Sequence, residues 1–487
     1  MPVDNTSRST VSSGTDGQIS HDASRSIDRR TCLRLAGAGL IAGLATGVSG
    51  VSATEDEYDV VLDVVEDLGA DNTGTEPIND ILTIVDEHDS LRLLFPEGEY
   101  LLENGPGGDG FARWDFGVDD EVGRVGKLAL EGRGDVTLTP PDGGRHNILT
   151  IWGREVSIEN FRIDQTAHDT STGITAVAEE QLLIRDIHYD GKVTGDYELY
   201  DSPAAHRAAV NAGEAPEDPF ALIPGVLEED GTGVIENVQA PDGVESLSRK
   251  GGIWVNFLHA GDLLITGCEI SNFADNGLYG SPPGQGPPLG GDGTVRVENC
   301  HFENNNVTAI RLGTPGSYAK NCTVVTEADA VPATPWGAIT SRAGWVWYGF
   351  DGTYENIDVV HDHPNGEGIL EHPSNDGSLE VVNSKFELNR DGRHAVRYLQ
   401  GGDTLRLNNV RVSGEAGVGS ALNLGNCDVT INNLCLTQSG ADRNGISLQN
   451  ASGKVNNPSI DVSGEAIVMD EESTVTVRNL SKRRRCR

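Results

Sequence analysis

The chain is poor in several residue classes, and each shortage argues against a class of protein. Its 487 residues include only 36 Lys+Arg against 75 Asp+Glu, with 5% aromatic residues and two methionines. A surface with so little positive charge does not suit a nucleic-acid partner. The seven cysteines contain no CxxC pair and no Cys/His spacing of a zinc site. The acidic excess is typical of a protein in strong salt, which screens the repulsion between like charges.

Long hydrophobic runs are missing beyond the N-terminal segment. There, Arg29 and Arg30 precede a Gly/Ala/Leu-rich run at residues 35–51, which is followed by small residues up to Ala53. This order resembles a twin-arginine export signal. A transmembrane anchor would need a longer span that is less rich in Gly and Ala. We therefore expect residues 1–53 to be an export signal and the mature protein to be extracellular or at the cell surface, without stable membrane insertion.

A polar residue recurs through most of the chain, between two short runs in which apolar and polar residues alternate. Apolar side chains stand two residues before it and one and three residues after it, so the alternation changes phase at the polar position. Asn suits such a bend because it tolerates left-handed dihedral angles. The pattern predicts an all-β fold, a parallel β-helix of about thirteen coils stacked roughly 4.8 Å apart. The bend residues are Gly132, Asn160, Asp186, Asn237, Gly267, Asn299, Asn321, Asn356, Asn383, Asn409, Asn433, Asn457 and Asn479.

The segment at residues 60–103 contains Asp67-Leu68-Gly69-Ala70, Gly74 and Phe95-Pro96-Glu97-Gly98-Glu99-Tyr100. It resembles the opening of the pectate-lyase-superfamily β-helices, here with a twin-arginine signal and of haloarchaeal type. The resemblance implies right-handed winding over residues 54–481, with an N-terminal cap at 54–110 that includes a short helix near Asn79–Asp89. Residues 482–487 form a basic tail. The paired aspartates that the family often has before the helix are absent at residues 76–79.

Three cysteines, Cys268, Cys300 and Cys322, occupy the same inward column in three successive coils. A stack of small apolar side chains is the favoured interpretation. A disulfide between neighbouring coils is the open alternative, and it would leave one of the three thiols unpaired.

A third strand in each coil follows the second, and the resemblance implies that this sheet forms the substrate groove. The alternation predicts outward positions at Thr175, Trp254, Tyr279, Arg311, Thr340, Leu370, Arg397, Asn423 and Ser447. A second outward row lies two residues further on. We predict Arg311 and Arg397 as catalytic residues that neutralise a substrate carboxylate, with His372 as the base. The predicted substrate-binding residues are Trp254, Asn256, Tyr279 and Arg342, supported by the aromatic side chains of Trp336, Trp345, Trp347 and Tyr348.

These positions favour an exported protein that binds an acidic polysaccharide and cleaves it by β-elimination, in the manner of a polysaccharide lyase. A non-catalytic surface, adhesion or carbohydrate-binding β-helix is the alternative, and a solvated face with scattered cations gives the same pattern. A glycoside hydrolase is the second alternative, but the outward row lacks the two carboxyl groups that hydrolysis needs.

Two further features near the predicted groove carry charge. Glu371 has inward parity, and because Pro373 follows closely, we expect the strand to end at Leu370 and the chain to turn outward. The alternative is that Glu371 is buried and acts as an acid. The triplet His361-Asp362-His363 is interpreted as a polar loop, although it could bind a metal. A calcium requirement is possible, but no clear site for the ion stands out.

Overall fold

The computed structural model describes residues 58–102, 114–116, 125–140, 143, 145–195, 205, 220–283, 291–335 and 337–482. The expected export signal, the tail beyond Lys482, Trp336, and most of the loops at 191–219 and 281–293 lie outside these residues. Residues Glu55–Arg487 form one compact unit. In the part that is described, no helix has the length and apolar character needed to cross a membrane.

β-Strands are the dominant regular structure of the described chain, and a 3₁₀ helix at Asn79–Glu87 follows the second strand. The strands are β1 (Val60–Asp63), β2 (Thr73–Pro77), β3 (Ser90–Leu101), β4 (Trp114–Phe116), β5 (Val125–Thr139), β6 (Arg145–Asp164), β7 (Ser171–Asp190), β8 (Leu222–Val226), β9 (Thr232–Ala240), β10 (Ile253–Trp254), β11 (Asp262–Thr266), β12 (Glu269–Ser271), β13 (Leu278–Gly280), β14 (Thr294–Glu298), β15 (His301–Glu303), β16 (Ile310–Leu312), β17 (Tyr318–Lys320), β18 (Thr323–Thr326), β19 (Arg342–Val346), β20 (Gly352–Glu355), β21 (Asp358–His361), β22 (Glu367–Glu371), β23 (Leu379–Val382), β24 (Lys385–Leu388), β25 (Val396–Tyr398), β26 (Thr404–Asn408), β27 (Arg411–Ser413), β28 (Gly419–Gly425), β29 (Asp428–Asn432), β30 (Cys435–Thr437), β31 (Arg443–Gln449), β32 (Ser452–Asn456), β33 (Ser459–Asp461), β34 (Ile467–Met469) and β35 (Thr474–Arg478).

The strands pair in parallel with their equivalents one coil later, which confirms the predicted right-handed parallel β-helix. Three faces result. Face A contains the strand before each bend residue, face B the strand after it, and face C the third strand of each coil. On face A, thirteen strands follow one another from the first predicted bend residue onward: β5, β6, β7, β9, β11, β14, β17, β20, β23, β26, β29, β32 and β35.

The predicted bend residues take left-handed backbone conformations, with φ between 51° and 64° from Asn160 to Asn479. Neighbouring asparagine side chains also bond to each other: Asn321 Nδ2 donates to Asn299 Oδ1 at 3.2 Å, and Asn356 Nδ2 donates to Asn321 Oδ1 at 2.9 Å. Gly132 differs from the prediction because its φ is not left-handed. The Asn160 side chain of the next coil donates to the Gly132 carbonyl at 2.8 Å.

A helix is present at Asn79–Glu87, where the sequence predicts one near Asn79–Asp89. Ile78 and Val85 of the helical segment are buried against the first coils. The predicted helix is of the tighter 3₁₀ type. Gly98 is required where β2 and β3 approach, because a Cβ there would lie 2.4 Å from the backbone oxygen of Asn72.

The cysteine column is also as predicted. Cys268, Cys300 and Cys322 are buried and are free thiols, so the stacked-thiol interpretation is confirmed and the disulfide alternative is wrong.

The bend geometry predicts the effect of replacing Asn321. Asn321→Ala should destabilise the fold by about 2–3 kcal/mol, because alanine is strained at this φ and two side-chain hydrogen bonds are lost. Asn321→Gly should cost about 1–2 kcal/mol, since glycine relieves the strain without restoring the bonds. Chemical denaturation at constant salt measures both values. Equal losses in the two variants would contradict a strained bend.

Candidate functional site

Face C carries an outward ladder in which twelve successive positions contain no acidic residue, and the described position before them is Asp115, opposite Thr150. Pairing in register brings together Thr150, Thr175, Ile223, Trp254, Tyr279, Arg311, Trp345, Leu370, Arg397, Asn423, Ser447 and Val468. Face A differs, because its outward ladder alternates acids and bases such as Glu159 with Arg185 and Lys320 with Glu355. In a chain with 75 acidic residues, face C is therefore distinguished by its charge.

One coil is displaced from its predicted register. Thr340 was expected in the ladder, but Trp345 occupies that position, opposite Arg311 and Leu370. Gly344 fills the inward position because the ring of Tyr354 takes the space that a side chain would need, with a Cβ only 2.9 Å from the Tyr354 ring. The predicted row therefore shifts from Thr340 and Arg342 to Trp345 and Trp347.

Arg311 is buried between aromatic rings. Its Cζ lies 4.0 Å from the ring centroid of Tyr279 and 3.6 Å from that of Trp347, and its Nε donates to Ser281 Oγ at 2.7 Å. Only 5% of the residue is exposed. Cation–π contacts of this kind are worth about 0.5–2 kcal/mol each. Arg311 is thus held by the fold, and it is poorly placed to grip a ligand carboxylate.

The stack continues beyond Arg311 into the next coil. Trp347 is buried, and His372 stacks on it with centroids 3.2 Å apart and rings 10° from parallel. Trp345 lies beside both and is half-buried, with the Arg342 Cζ 4.1 Å from its ring centroid. We call Tyr279, Arg311, Trp345, Trp347 and His372 the aromatic–cation stack.

His372 does not have the geometry that was predicted for a base. Its Nδ1 accepts the backbone N–H of Ser374 at 3.1 Å and lies 2.7 Å from Ser374 Oγ. This assigns the proton of the neutral ring to Nε2. In this tautomer neither ring nitrogen offers the free lone pair that a base needs.

Three predicted substrate-binding residues have structural partners. Trp254 is 9% exposed and packs with Phe220 and Phe257. Asn256 is buried, and its Oδ1 accepts the N–H of Leu258, which fixes a turn.

Arg342 begins β19 instead of pointing from the ladder, and its Nη1 donates to the Val307 carbonyl at 2.9 Å. Val307 has the left-handed φ of 55°, which is unusual for a β-branched residue. Arg443 grips the carbonyl of Val418 in the same way, and Val418 also has a left-handed φ. Arg342 therefore stabilises a strained turn, as Arg443 does.

Arg397 is the predicted arginine that fits a ligand-binding role. It is half-buried in the outward ladder and makes no hydrogen bond or ion pair with the described part of the chain. It stands three coil steps from Arg311, roughly 14 Å. The two arginines therefore do not act on one carboxylate, and the predicted catalytic trio is not assembled.

His394 precedes Arg397 in the same coil and was missed in the sequence. Its Nδ1 donates to the Ser420 carbonyl at 2.6 Å, and within the described residues its Nε2 has no hydrogen-bond partner. Burial lowers the pKa of His394, and the positive charge of Arg397 adds to this effect while Glu367 opposes it. This is the arrangement of a neutral imidazole with a free lone pair. His394 lies in a bend whose sequence differs from coil to coil, so the repeat does not mark it as a functional residue.

Glu371 corrects another expectation. The strand does not end at Leu370; β22 includes Glu371, whose side chain is buried. Its carboxylate accepts the backbone N–H groups of Leu399 at 2.8 Å and Gln400 at 2.6 Å, from the following coil. Burial raises the pKa of Glu371, and these hydrogen bonds partly oppose the rise. The residue joins two coils and does not reach the groove.

Other carboxylates in the bends between faces B and C are also bonded within the protein, and none forms an outward pair. The contacts are Asp275 with the Asn276 amide, Asp362 with Arg390, Glu367 with the His394 N–H, and Asp391 with the Gly417 N–H. Open clefts of about 530 and 640 Å³ adjoin Asp362 at this edge. Across the described residues, no group of three or more His, Cys, Asp or Glu side chains is arranged to hold a metal ion.

No protein-family model matches the sequence, and no curated protein does. Similar solved structures include the Streptococcus pneumoniae surface protein and adhesin PfbA, with 11% identity, coverage of 85% of this chain and 100% of that one, and a TM-score of 0.43. The Azotobacter vinelandii mannuronan C-5 epimerase AlgE6 A-module is 13% identical, with coverage of 87% of this chain and 100% of that one and a TM-score of 0.31. The Agl-KA catalytic domain is 11% identical, with coverage of 90% of this chain and 70% of that one and a TM-score of 0.35. These values carry no argument about ligand or reaction, and pectate-lyase-superfamily membership stays a prediction.

The different environments of the two arginines predict different effects on stability. Arg311→Ala should lower the free energy of unfolding by about 2–4 kcal/mol, since two aromatic rings and a buried hydroxyl lose their partner. Arg397→Ala should change it by less than about 0.5 kcal/mol. Arg311→Lys, which keeps the charge but not the planar stack, should be intermediate. Equal midpoints for the two alanine variants in chemical denaturation would show that Arg311 is not structural.

Buried His361 predicts a pH-dependent loss of stability. Both ring nitrogens lack partners within the described structure, and burial lowers the pKa from 6.5 to about 4. Protonation therefore favours the unfolded chain, and stability should fall by about 3 kcal/mol as the pH drops from 6.5 to 4.

His361→Leu, which matches Leu388 in the next coil, removes this titration while Glu371 and Asp275 still titrate in both proteins. The difference between the two unfolding curves should therefore grow steadily below pH 6.5. A constant difference across that pH range would refute the assignment.

Proposed function

We propose that the protein binds an anionic polysaccharide along face C. The observation that carries the proposal is the run of twelve ladder positions from Thr150 to Val468 that contains no acidic residue, although Asp115 precedes it. Faces A and B carry carboxylates within the corresponding coils, such as Glu159 and Asp358. A polymer of negatively charged sugars would be repelled by most of the surface and could approach closely on this side.

The aromatic–cation stack supplies sugar-binding surface. Tyr279 and Trp345 are half-buried, so each presents part of a ring to solvent while its other contacts hold it rigid. Aromatic surfaces suit the apolar faces of sugar rings. Stacking against Arg311 fixes the orientation of Tyr279 before the ligand arrives, which reduces the entropy lost on binding.

Arg397 supplies the charge recognition. Its guanidinium can form a bidentate, charge-assisted contact with a carboxylate or sulfate of the polymer. The neighbouring His394 adds an acceptor at neutral pH and a second cation once it is protonated. Anion binding should therefore strengthen as the pH falls.

Export by the twin-arginine pathway to the cell surface or medium is part of the proposal, because a long polymer would be met there. Cleavage by β-elimination stays a prediction. For that reaction the base would be His394, whose Nε2 has a free lone pair, and the neutralising cation would be Arg397 in the same coil. The non-catalytic alternative requires only the binding surface.

The test is binding of the full chain to a polyuronate and to a neutral glucan of matched length at fixed salt. We expect the polyuronate alone to bind, Arg397→Ala to weaken binding about tenfold and Trp345→Ala to weaken it comparably. Arg406→Ala is the matched control, since it removes the same charge from face A one strand later. Equal binding by Arg397→Ala and Arg406→Ala would sink the proposal.

The same samples test cleavage. Appearance of ultraviolet absorbance from unsaturated chain ends, abolished by His394→Ala but retained in His372→Ala, would establish β-elimination. If the polymer stays intact after prolonged incubation while binding is preserved, the protein binds the polymer without cleaving it.

A further inference from the structure

Cys435 differs from the other described cysteines because it faces outward and is oxidised. It begins β30 on face B, where it is half-buried, and it is disulfide-bonded. The other described cysteines are buried free thiols: Cys268, Cys300, Cys322 and Cys427. The partner of Cys435 is therefore one of the two remaining cysteines of the chain, Cys32 and Cys486.

The register of face B brings the end of the described chain close to Cys435. Cys435 pairs with Ser459 in the next coil, and Ser459 pairs with Ser481 one coil later. Ser481 is thus two coil steps from Cys435, roughly 10 Å. The chain from Ser481 to Cys486 can extend up to about 17 Å. The tail is therefore long enough to turn back and reach Cys435, whereas Cys32 belongs to the expected export signal.

The surface around Cys435 suits a segment that lies over it. Thr437 and Ser459, its neighbours on face B, are both engaged in interactions, as is Arg411 in the preceding coil. Asp461 is exposed and pairs with Thr437. Its carboxylate is placed to attract the cationic tail, in which five of the six residues from Lys482 onward are Lys or Arg.

We propose that Cys435 and Cys486 form a disulfide that ties residues 482–487 to face B and fastens the C-terminal end of the coil. The two thiols lose two protons and two electrons as their sulfurs join. A low-molecular-weight disulfide of the medium accepts them, so that its S–S bond breaks and it leaves as two thiols. The exchange passes through a mixed disulfide on one of the two cysteines, and an oxidising exterior favours the product.

The C-terminal end of the coil is where such a tie has an effect. In the described part of the chain, β34 and β35 pair only with the preceding coil. Met469 and Leu480 are exposed apolar residues at this end. Unpaired strand edges fray and attract other chains. A disulfide across a loop of about 50 residues restricts the unfolded chain and so favours the folded end.

The first test maps the disulfide in the full chain, purified without reductant. Free thiols are blocked with an alkylating reagent in denaturant, and the chain is digested with pepsin at low pH, where thiolate exchange is suppressed. Mass spectrometry should find the peptide that contains Cys435 linked to the peptide that contains Cys486, and reduction should separate them. An alkylated Cys435, or a link from Cys435 to Cys32, would overturn the proposal.

Thermal unfolding tests the role of the bond. Cys435→Ser and Cys486→Ser should lower the midpoint equally, by about 3–6 °C, and the double variant should lose no more. Reductant should bring the unaltered chain to the same midpoint and leave Cys486→Ser unchanged, which makes this variant the matched control. A reductant effect that persists in Cys486→Ser, or midpoints that stay at the unaltered value in both single variants, would refute the tie.

Discussion

In-register parallel pairing of successive coils is the constraint on which the rest of the structure depends. Each coil can follow the last only if its bend residue adopts a left-handed conformation at the same point, and Asn does this at low cost while its amide bonds to the neighbouring bend. Once the bends are aligned, equivalent side chains are forced into columns about 4.8 Å apart. Thiols stacked in the core and a charge-segregated outer face are consequences of this single register.

The columns on faces A and B could be predicted from the sequence because their signal is local. Apolar alternation and the recurring Asn place Cys300 and Phe302 inside, and both are buried. The third strand is harder, since it lacks a marker residue. The error at Thr340 arose because Gly344 takes an inward position that Tyr354 fills from a different strand. A contact between two different strands of the coil is not repeated along the sequence, so the sequence pattern does not reveal it.

The candidate site shows the same limit more sharply. Arg311 and Arg397 have equivalent places in the ladder, so the sequence does not separate them. What separates them is their neighbours in adjacent coils: Arg311 has Tyr279 on one side and tryptophans on the other, whereas Arg397 stands between Leu370 and Asn423. Glu371 is a further example, because the N–H groups that hold it belong to a turn 28 and 29 residues later. Side-chain availability is decided across coils, and a single coil does not reveal it.

The division of charge between faces has a physical consequence in strong salt. Screening over a few ångströms weakens long-range attraction between a polyanion and scattered cations. A binding surface must then rely on short-range contacts, such as ring faces and bidentate hydrogen bonds, which salt affects less. The aromatic–cation stack fits this requirement: its central cation is buried and contributes rigidity, while the half-buried rings and Arg397 remain at the surface. The acidic excess predicts a protein that works in strong salt, and under the proposed function the ladder from Thr150 to Val468 is the surface that meets the polymer.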